Sequence, residues 1–251
     1  MFQKCWENNR TTQEKNYVNW VAQFDTLSLK QKQLLLRDIQ TKSTPPLISI
    51  ILVHGPNTFI TQLIGTLQSL TWQNYANWEC IVLAPHSRLS LMQYLVLSIW
   101  SRIDPRISIC RRPHKSVISL PTLLNLGVDH SKGDWIGFLQ SADRISDTAL
   151  LWIAREIVKT PGLQLIYGDE DYLNSNGKRV DPLFKSDWNP EFFLTHHYMG
   201  SFLLYRKEII RKVGSFSEGY PQAEIYDLSC RVIENIGADA IRHIPRILTH
   251  H

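Results

Sequence analysis

Short apolar runs alternate with amphipathic stretches between Leu47 and Gly168, and this alternation constrains the fold more than any other feature of the chain. The apolar runs are LISIILV (47–53), ECIVLA (79–84), RISICR (106–111), the run at 134–139 and LQLIYG (163–168). The stretches between them space their apolar residues as helices do, at 60–67, 90–103, 119–130 and 147–159. Strands that alternate with helices of about 10–15 residues predict right-handed β–α–β units and a mainly parallel sheet.

The pattern changes after Asp169. NSNGK (174–178) is typical of a turn, and DPLFKSDWNPEFF, with two prolines, indicates a structured loop. A strand at 200–206, a helix around 225–236 and a last strand at 240–248 complete the chain. At the other end, residues 1–44 are polar with apolar residues at helical spacing, and STPPL stops that pattern because proline cannot continue a helix. We therefore predict an N-terminal helical extension over 1–44 and one α/β domain over 45–251.

Composition narrows the class of protein. Of 251 residues, 43% are hydrophobic and 20% are charged, which is ordinary for a globular domain. The net charge of +4 is compatible with an acidic substrate such as a nucleotide diphosphate and does not indicate a nucleic-acid partner.

The cysteines and the apolar stretches indicate a compartment. Four cysteines lie far apart with no C-x-x-C pair, which predicts free thiols and a reducing environment; they are Cys5, Cys80, Cys110 and Cys230. The first ten residues contain no signal-peptide core, and the longest apolar stretch, LMQYLVLSIW, is too short to span a bilayer. We expect a cytoplasmic protein without a transmembrane segment, and peripheral association with the inner membrane face stays open.

A dinucleotide-binding fold is the first alternative for a chain of alternating strands and helices. That fold needs a glycine-rich phosphate turn after the first strand, and LVHGPNTF contains a single glycine and no G-x-G-x-x-G. The turn therefore disfavours a Rossmann dehydrogenase.

Seven separated blocks match a known family in order. They are NYVNWVAQFD, PPLISIILV, LQSLTWQNYANWECIVL, LNLGVDHSKGDWIGFL, the long run from LIYGDEDYL to RKVGSF, YDLSCRVIE and IRHIPRILTHH. From about Tyr17 to His251 the chain resembles a family 2 glycosyltransferase of bacterial surface-polysaccharide assembly, with the GT-A fold. The resemblance implies an α/β architecture with a mixed, mainly parallel sheet flanked by helices. It also implies transfer of a sugar from a nucleotide donor to a glycan acceptor with inversion, usually with Mg²⁺ or Mn²⁺.

The metal-binding turn departs from the family pattern. In similar proteins this turn reads Asp-x-Asp-Asp after the fourth strand, and here Gln140 and Ala142 stand at the first two acidic positions, so that only Asp143 matches. A glutamine carbonyl can accept a ribose hydroxyl but brings no charge, and alanine cannot ligate a metal.

Two further acidic sites have also changed. At the place of the family's Asp-Asp pair after the second strand, which contacts the base and ribose, the chain has Ala84 and Pro85. At the Gln-Asp or Glu-Asp pair ahead of the last long helix it has Glu224 and Ile225, so isoleucine stands at the position of the general base. Glu224 lies one residue earlier, which turns a side chain by about 100° on a helix.

Other positions match the family and carry its implied roles. Glu224 and Asp227 are the candidate catalytic residues, and Asp143 and His250 are the candidate metal ligands. The candidate donor- or acceptor-binding residues are Gln140, Asp143, Asp169, Asp171, Lys185, Trp188 and Tyr198.

Each match also has a structural interpretation. Asp169 and Asp171 can cap turns, and Asp227 can be a first-turn acid favoured by the helix dipole. Trp188 can be a packing residue, and Lys185 and His250 can be surface or structural residues.

At each of three separate sites, an acidic residue that the family uses for metal binding, nucleotide binding or catalysis is replaced, while the apolar framework is intact. We therefore expect a degenerate, non-catalytic relative that binds a glycan or a partner glycosyltransferase. The alternative is an active inverting transferase that uses a nucleotide sugar, non-standard acids and Mg²⁺ or Mn²⁺, so the sequence leaves open whether the protein is an enzyme. A nucleotide-binding regulatory module is disfavoured because the donor positions have changed most.

Overall fold

The computed structural model describes residues 13–41, 44–55, 58–83, 90–110 and 119–251. At the N-terminal side, helix α1 (13–20) continues into a π-helical turn, Val21–Asp25, and is followed by α2 (Leu29–Gln40). Ser28 caps α2: its side chain accepts from Gln31 N, and the Gln31 side chain accepts from Ser28 N. Leu35 and Ile39 of α2 belong to the main buried cluster of the molecule. Residues 1–12, including Cys5, lie outside the described part of the chain, and the boundary at residue 44 remains a prediction.

The alternating part of the chain forms the predicted strands and helices. Its strands are β1 (Ile48–Val53), β2 (Trp78–Leu83), β3 (Ile107–Cys110) and β4 (Trp135–Gln140). Its helices are α3 (Ile60–Thr71), α4 (Leu91–Ile103), α5 (Leu120–His130) and, after a short strand β5 (Arg144–Ile145), α6 (Ala149–Lys159). Each predicted strand and helix of this region is confirmed, since local periodicity and local caps set its ends. The ends agree within two residues except at α3, which continues four residues beyond the predicted end at Leu67.

The second half is more regular than its sequence indicates. Its elements are β6 (Leu165–Leu173), β7 (Arg179–Leu183), α7 (Pro190–Thr195), β8 (Leu204–Arg206), α8 (Lys207–Lys212), α9 (Glu224–Ile233), a 3₁₀ turn (Ala238–Ala240) and β9 (Ile241–His250). The predicted loop DPLFKSDWNPEFF thus contains strand and helix. Strand β7 folds back on β6 across the NSNGK turn. Helix α7 begins where the Asn189 side chain accepts from Phe192 N, with Pro190 at its first position.

One mixed sheet joins nine strands of the described residues. Its order is β3–β2–β1–β4–β8–β6–β9–β5, with β7 paired to β6. The first four strands are mutually parallel, β8 is antiparallel to both β4 and β6, and β9 is parallel to β6. The chain builds outward from β1 to β3 and then returns to β4 on the other side of β1. The sheet therefore has a topological switch point between β1 and β4, where a crevice opens beyond the carboxyl ends of the strands.

Two apolar clusters cover the two faces of the sheet. Successive side chains of a strand point to opposite faces, so Ile50 and Leu52 of β1 join the cluster under α2, α3 and α6, while Ile51 joins the cluster under α5 and α9. Cys80 is buried in the first cluster, and burial raises the pKa of its thiol. Among the described cysteines, Cys80 and Cys230 are free thiols, as the sequence predicts. No helix in the described ranges has the length and apolarity that a bilayer crossing requires.

A buried ionic network fastens the N-terminal segment to the β6–β7 hairpin. The Arg179 guanidinium donates from Nε to Asp171 and from one terminal nitrogen to Asp25, both at 2.6 Å. Tyr17 donates its hydroxyl to the same Asp171 carboxylate, which is fully buried. One guanidinium therefore links the N-terminal segment to a hairpin about 150 positions later in the chain.

Replacing Arg179 with methionine is expected to lower the free energy of unfolding by about 3 kcal/mol, because two buried carboxylates lose their shared cation. The measurement is urea denaturation followed by circular dichroism. The control is Lys178→Met, which removes an exposed cation from the adjacent position of the same hairpin. A difference between the two variants below about 1 kcal/mol would show that the network contributes no more than a surface pair.

Candidate functional site

A cavity of about 540 Å³ opens beyond the carboxyl ends of β1 and β4, at the switch point of the sheet. Val53 and Gln140, which pair in register as the last residues of these strands, both line it. The other described lining residues are Gly55, Thr58, Leu120, Leu124, Phe138, Leu139, Ser141, Ala142, His197, Gly200, Ser201, Gln222, Glu224, Ile225 and Tyr226. Topology places this cavity where open α/β sheets bind their ligands.

Neutral hydrogen bonds hold the turn after β4. Ser141 N donates to Val53 O at 3.1 Å, and the Ser141 hydroxyl is 2.8 Å from the Thr58 hydroxyl and 3.1 Å from His54 Nδ1. Burial lowers the pKa of His54, which favours a neutral imidazole. Gln140 is exposed in the cavity beside this group. The turn that carries charge in the resembled family is therefore tied to the loop after β1 by uncharged groups.

Asp143 faces the end of β9 and does not line the cavity. His251 donates from Nδ1 to Asp143 at 3.0 Å, and its Nε2 lies 3.4 Å from the Glu170 carboxylate. The hydrogen bonds to Asp143 and Glu170 raise the pKa of His251 to about 9. His250, the neighbouring residue, pairs instead with Asp171 through Nδ1. The two candidate metal ligands thus have different partners.

These residues do not fit a divalent cation. Ala142 has no ligand atom, Gln140 is neutral, and Asp143 is engaged by His251. Within the described ranges, no three side chains of His, Cys, Asp or Glu are placed to hold one ion. The roles of Asp143 and His250 as metal ligands stay predictions, without a third ligand beside them.

The acidic residues of β6 are engaged inside the protein. Asp169 accepts from Lys185 N and pairs with His243 Nε2, both at 2.8 Å. Burial favours the protonated form of Asp171, but hydrogen bonds from His250, Tyr17 and Arg179 outweigh it and hold its pKa below the usual range. Neither carboxylate lines the cavity. Both residues thus have partners inside the protein other than the turn caps that the sequence suggests, and their role in binding remains a prediction.

Lys185 positions one wall of the cavity. Its ammonium group donates to Glu170 and to Met199 O, each at 2.8 Å, and burial lowers its pKa. The adjacent Gly200 has a φ of +81°, and a side chain there would collide with the Glu170 carboxylate and the Lys185 ammonium. The ion pair thereby fixes the turn that presents Gly200 and Ser201 to the cavity.

The two predicted aromatic residues pack against neighbouring rings. Trp188 is half-buried with its ring centre 5.6 Å from that of Phe193. Tyr198 is buried, stacks on Phe192 at 4.8 Å and accepts from Asn189 N through its hydroxyl. Both rings stabilise the segment around α7, and neither is part of the cavity lining.

The start of α9 closes the cavity. Glu224, the first residue of the helix, is buried and lines the cavity together with Ile225 and Tyr226. Asp227 points elsewhere and forms an i,i+4 ion pair with Arg231 at 2.6 Å. Of the two candidate catalytic residues, Glu224 lines the cavity, whereas Asp227 forms an ion pair within α9.

Sequence reasoning missed two polar residues on the cavity wall, His197 and Ser201. The His197 ring packs against Phe193 and Tyr226, and its Nε2 is buried without a hydrogen-bond partner among the described residues. The Ser201 hydroxyl is likewise buried and unpartnered within those residues. Burial lowers the pKa of His197 to about 4, so the imidazole is neutral at pH 7. No local motif marks these residues, because contacts between distant segments form the wall.

The described lining of the cavity differs in charge from a diphosphate site. Glu224 is the ionisable acid of the described lining, which contains neither lysine nor arginine. Ala84 and Pro85, the positions expected to contact base and ribose, lie outside the described residues. The described lining offers hydrogen bonds to neutral hydroxyl groups and no cation for a phosphate.

The chain matches the model of one protein family. The model described as glycosyl transferase family 2 matches residues 57–214. An uncharacterized protein y4gI of Sinorhizobium fredii is 29% identical over 94% of this chain and 25% of its own length. The O-antigen biosynthesis protein RfbC of Myxococcus xanthus is 31% identical over 83% of this chain and 16% of its own length. The chain thus spans a quarter or less of these curated relatives.

Solved structures support the fold class. S. aureus TarS 1–349 in complex with UDP-GlcNAc superposes with a TM-score of 0.64 at 16% identity, over 82% of this chain and 58% of that chain. The same protein in complex with UDP gives a TM-score of 0.64 over 82% of this chain and 60% of that chain. At this identity the likeness concerns the fold alone. The GT-A-like fold with a mixed sheet and flanking helices is confirmed.

Mn²⁺ together with a nucleoside diphosphate is expected to raise the melting temperature by less than about 1 °C, because the described residues offer neither a set of metal ligands nor a cation for the diphosphate. Differential scanning fluorimetry with and without EDTA measures this. For comparison, a ligand present at a hundredfold excess over its dissociation constant raises the free energy of unfolding of its protein by about 2.7 kcal/mol. A rise of several degrees that needs the nucleotide and is removed by EDTA would contradict this prediction.

Proposed function

Because the chain belongs to glycosyl transferase family 2, we propose that it acts in polysaccharide assembly by binding a glycan in the cavity, without transferring a sugar from a nucleotide donor. The observation that carries this proposal is the cavity lining at the start of α9 and after β4. Ile225 stands at the base position and Ala142 at a metal-ligand position, and both line the cavity. The assignment to polysaccharide assembly is supported by the relative named for O-antigen biosynthesis.

Donor chemistry makes demands that these residues do not meet. A departing nucleoside diphosphate carries negative charge, which the family neutralises with a metal held by carboxylates. The acceptor hydroxyl needs a carboxylate base within hydrogen-bonding reach. In the described cavity, Gln140 and Ala142 supply no charge to a metal, and isoleucine cannot accept a proton.

Neutral carbohydrate fits the same cavity better. A volume of about 540 Å³ lies in the range of small-molecule sites. Its polar groups include the hydroxyl of Ser201, the neutral imidazole of His197 and the carboxylate of Glu224, beside the ring of Tyr226. Further hydroxyl and amide groups come from Thr58, Gln140, Ser141 and Gln222. Sugar hydroxyls both donate and accept hydrogen bonds, so they can satisfy the buried, unpartnered His197 and Ser201 atoms.

One observation favours the alternative of an active transferase. Glu224 is buried, lines the cavity and is next to the position of the family's base. If it reaches the acceptor hydroxyl, Glu224 is the general base of an inverting transfer that uses a nucleotide sugar. A partner glycosyltransferase and a peripheral membrane location remain predictions from the sequence.

Nucleotide release from a panel of sugar nucleotides separates the two functions. We expect no release by the wild type. We also expect none by Gln140→Asp, Ala142→Asp or Ile225→Asp alone, because each single variant still lacks either a metal-binding carboxylate or the carboxylate base. The triple variant restores the acids together and is expected to release nucleotide. Wild-type turnover that Glu224→Gln reduces by about 10²-fold or more would contradict the non-catalytic proposal and establish the alternative.

Glycan binding is expected to depend on the cavity wall. His197→Gln and Ser201→Ala are each expected to weaken binding of neutral oligosaccharides by about threefold to tenfold, the effect of one hydrogen bond. Saturation-transfer NMR with a panel of such oligosaccharides measures this, and His196→Gln, at the exposed neighbouring residue, is the control.

The same binding is expected to be independent of pH between 6 and 8. Since burial holds the pKa of His197 at about 4, its imidazole stays neutral over that range and loses its neutral form only as the pH falls toward 4.

Equal binding of oligosaccharides by the wild type, His197→Gln and Ser201→Ala would contradict the assignment of the glycan to this cavity.

A further inference from the structure

The outward surface of α4 is apolar along its whole length. The inner side of the helix places Leu97 in the main buried cluster, with Val96 and Trp100 packed against it. On the outer side, every exposed position except Arg102 carries a large apolar residue. We define the α4 face as Leu91, Met92, Leu95, Ile99 and Ile103, whose side chains are 44–73% exposed.

The α4 face is a ridge and not a set of scattered side chains. Leu91, Leu95, Ile99 and Ile103 follow one another at intervals of four residues, so they form a single row about 18 Å long. Outer faces of helices on an α/β domain normally carry charged residues. The exposed area of the ridge is roughly 500 Å², at the upper end of the apolar patches that monomers leave in water.

We propose that the α4 face is the contact surface between two copies of this chain, paired with their α4 helices antiparallel about a twofold axis. A row at four-residue spacing packs into the groove of an identical row, with the two helix axes crossing at about 50°. A twofold contact must be complementary to itself, and a face without charge has nothing that repels its own copy. The middle of the row lies between Leu95 and Ile99, so Leu95 of one copy meets Ile99 of the second copy.

The area and the charges favour a second copy over a lipid surface. Two such faces expose roughly 1,000 Å² together, so their complete burial reaches the lower limit for a specific protein contact and the expected association is weak. Helices that lie on membranes carry lysine and arginine beside their apolar face, whereas Arg102 is the one basic residue in the 13 residues of α4. Arg102 stands near the end of the row, where its guanidinium can stay in water. This inference does not depend on the proposed function.

The test is the mass of the full chain in solution by sedimentation equilibrium between about 1 and 200 μM, where a contact of this size is expected to associate. The wild type is expected to approach twice the chain mass as its concentration rises. Leu95→Lys/Ile99→Lys brings four lysines together and is expected to weaken association at least 100-fold. The control is Leu29→Lys/Leu194→Lys, which changes two other highly exposed leucines and is expected to leave association unchanged.

Circular dichroism melting checks that the variants are folded. If the lysine variant is unfolded, Leu91→Gln/Ile103→Gln at the ends of the row takes its place, with an expected weakening of about tenfold. A wild type that stays monomeric to 200 μM would overturn the proposal, as would undiminished association of the folded α4 variants. Monomeric wild type that sediments with phosphatidylglycerol–phosphatidylcholine vesicles through the α4 face would assign the face to lipid instead.

Discussion

The parallel pairing of β1 with β4 is the constraint on which the site depends. It brings Val53 and Gln140 side by side at the ends of their strands and leaves a crevice beyond them, because the chain leaves the two strands in opposite directions. The apolar interior of both strands keeps this register, since a slip of one residue would turn every side chain to the opposite face. The cavity therefore exists independently of the chemistry placed in it.

The carboxylates that remain have taken structural partners. Asp169 is held by His243, Asp171 by Arg179, and Asp143 by His251. A buried carboxylate needs such partners, because removing one leaves an uncompensated charge. These residues match a family of transferases in sequence, yet each has a structural contact. Asp169 joins β6 to β9, Asp171 joins β6 to the N-terminal segment, and Asp143 joins the turn before β5 to the residue after β9. A match in residue type alone therefore does not distinguish a role in the family's active site from a structural role.

Local patterns predicted the first half of the fold closely, and contacts between distant residues account for what was missed. The apolar runs of β1 to β4 and the helices between them are properties of about ten residues each, so they can be read from the sequence. The strand β7 exists because it pairs with β6, and the DPLFKSDWNPEFF segment gives no period that shows this. Tyr17 and Asp171 are 154 positions apart, and His197 meets Tyr226 only after α9 has packed. Glu224 and Ile225 were placed at the cavity by resemblance, since helix periodicity does not say what a helix start faces.

The single antiparallel strand between β4 and β6 also sets an order of events during synthesis. Until β8 arrives, β4 is an open edge of a parallel sheet, with unpaired backbone groups that invite pairing with other chains. Roughly sixty residues separate the end of β4 from the start of β8. At about 5–20 residues per second, the ribosome takes several seconds to supply them. A nascent chain in which β1 to β4 have already paired therefore carries an exposed sheet edge for that time, and pairing with other chains competes with the arrival of β8.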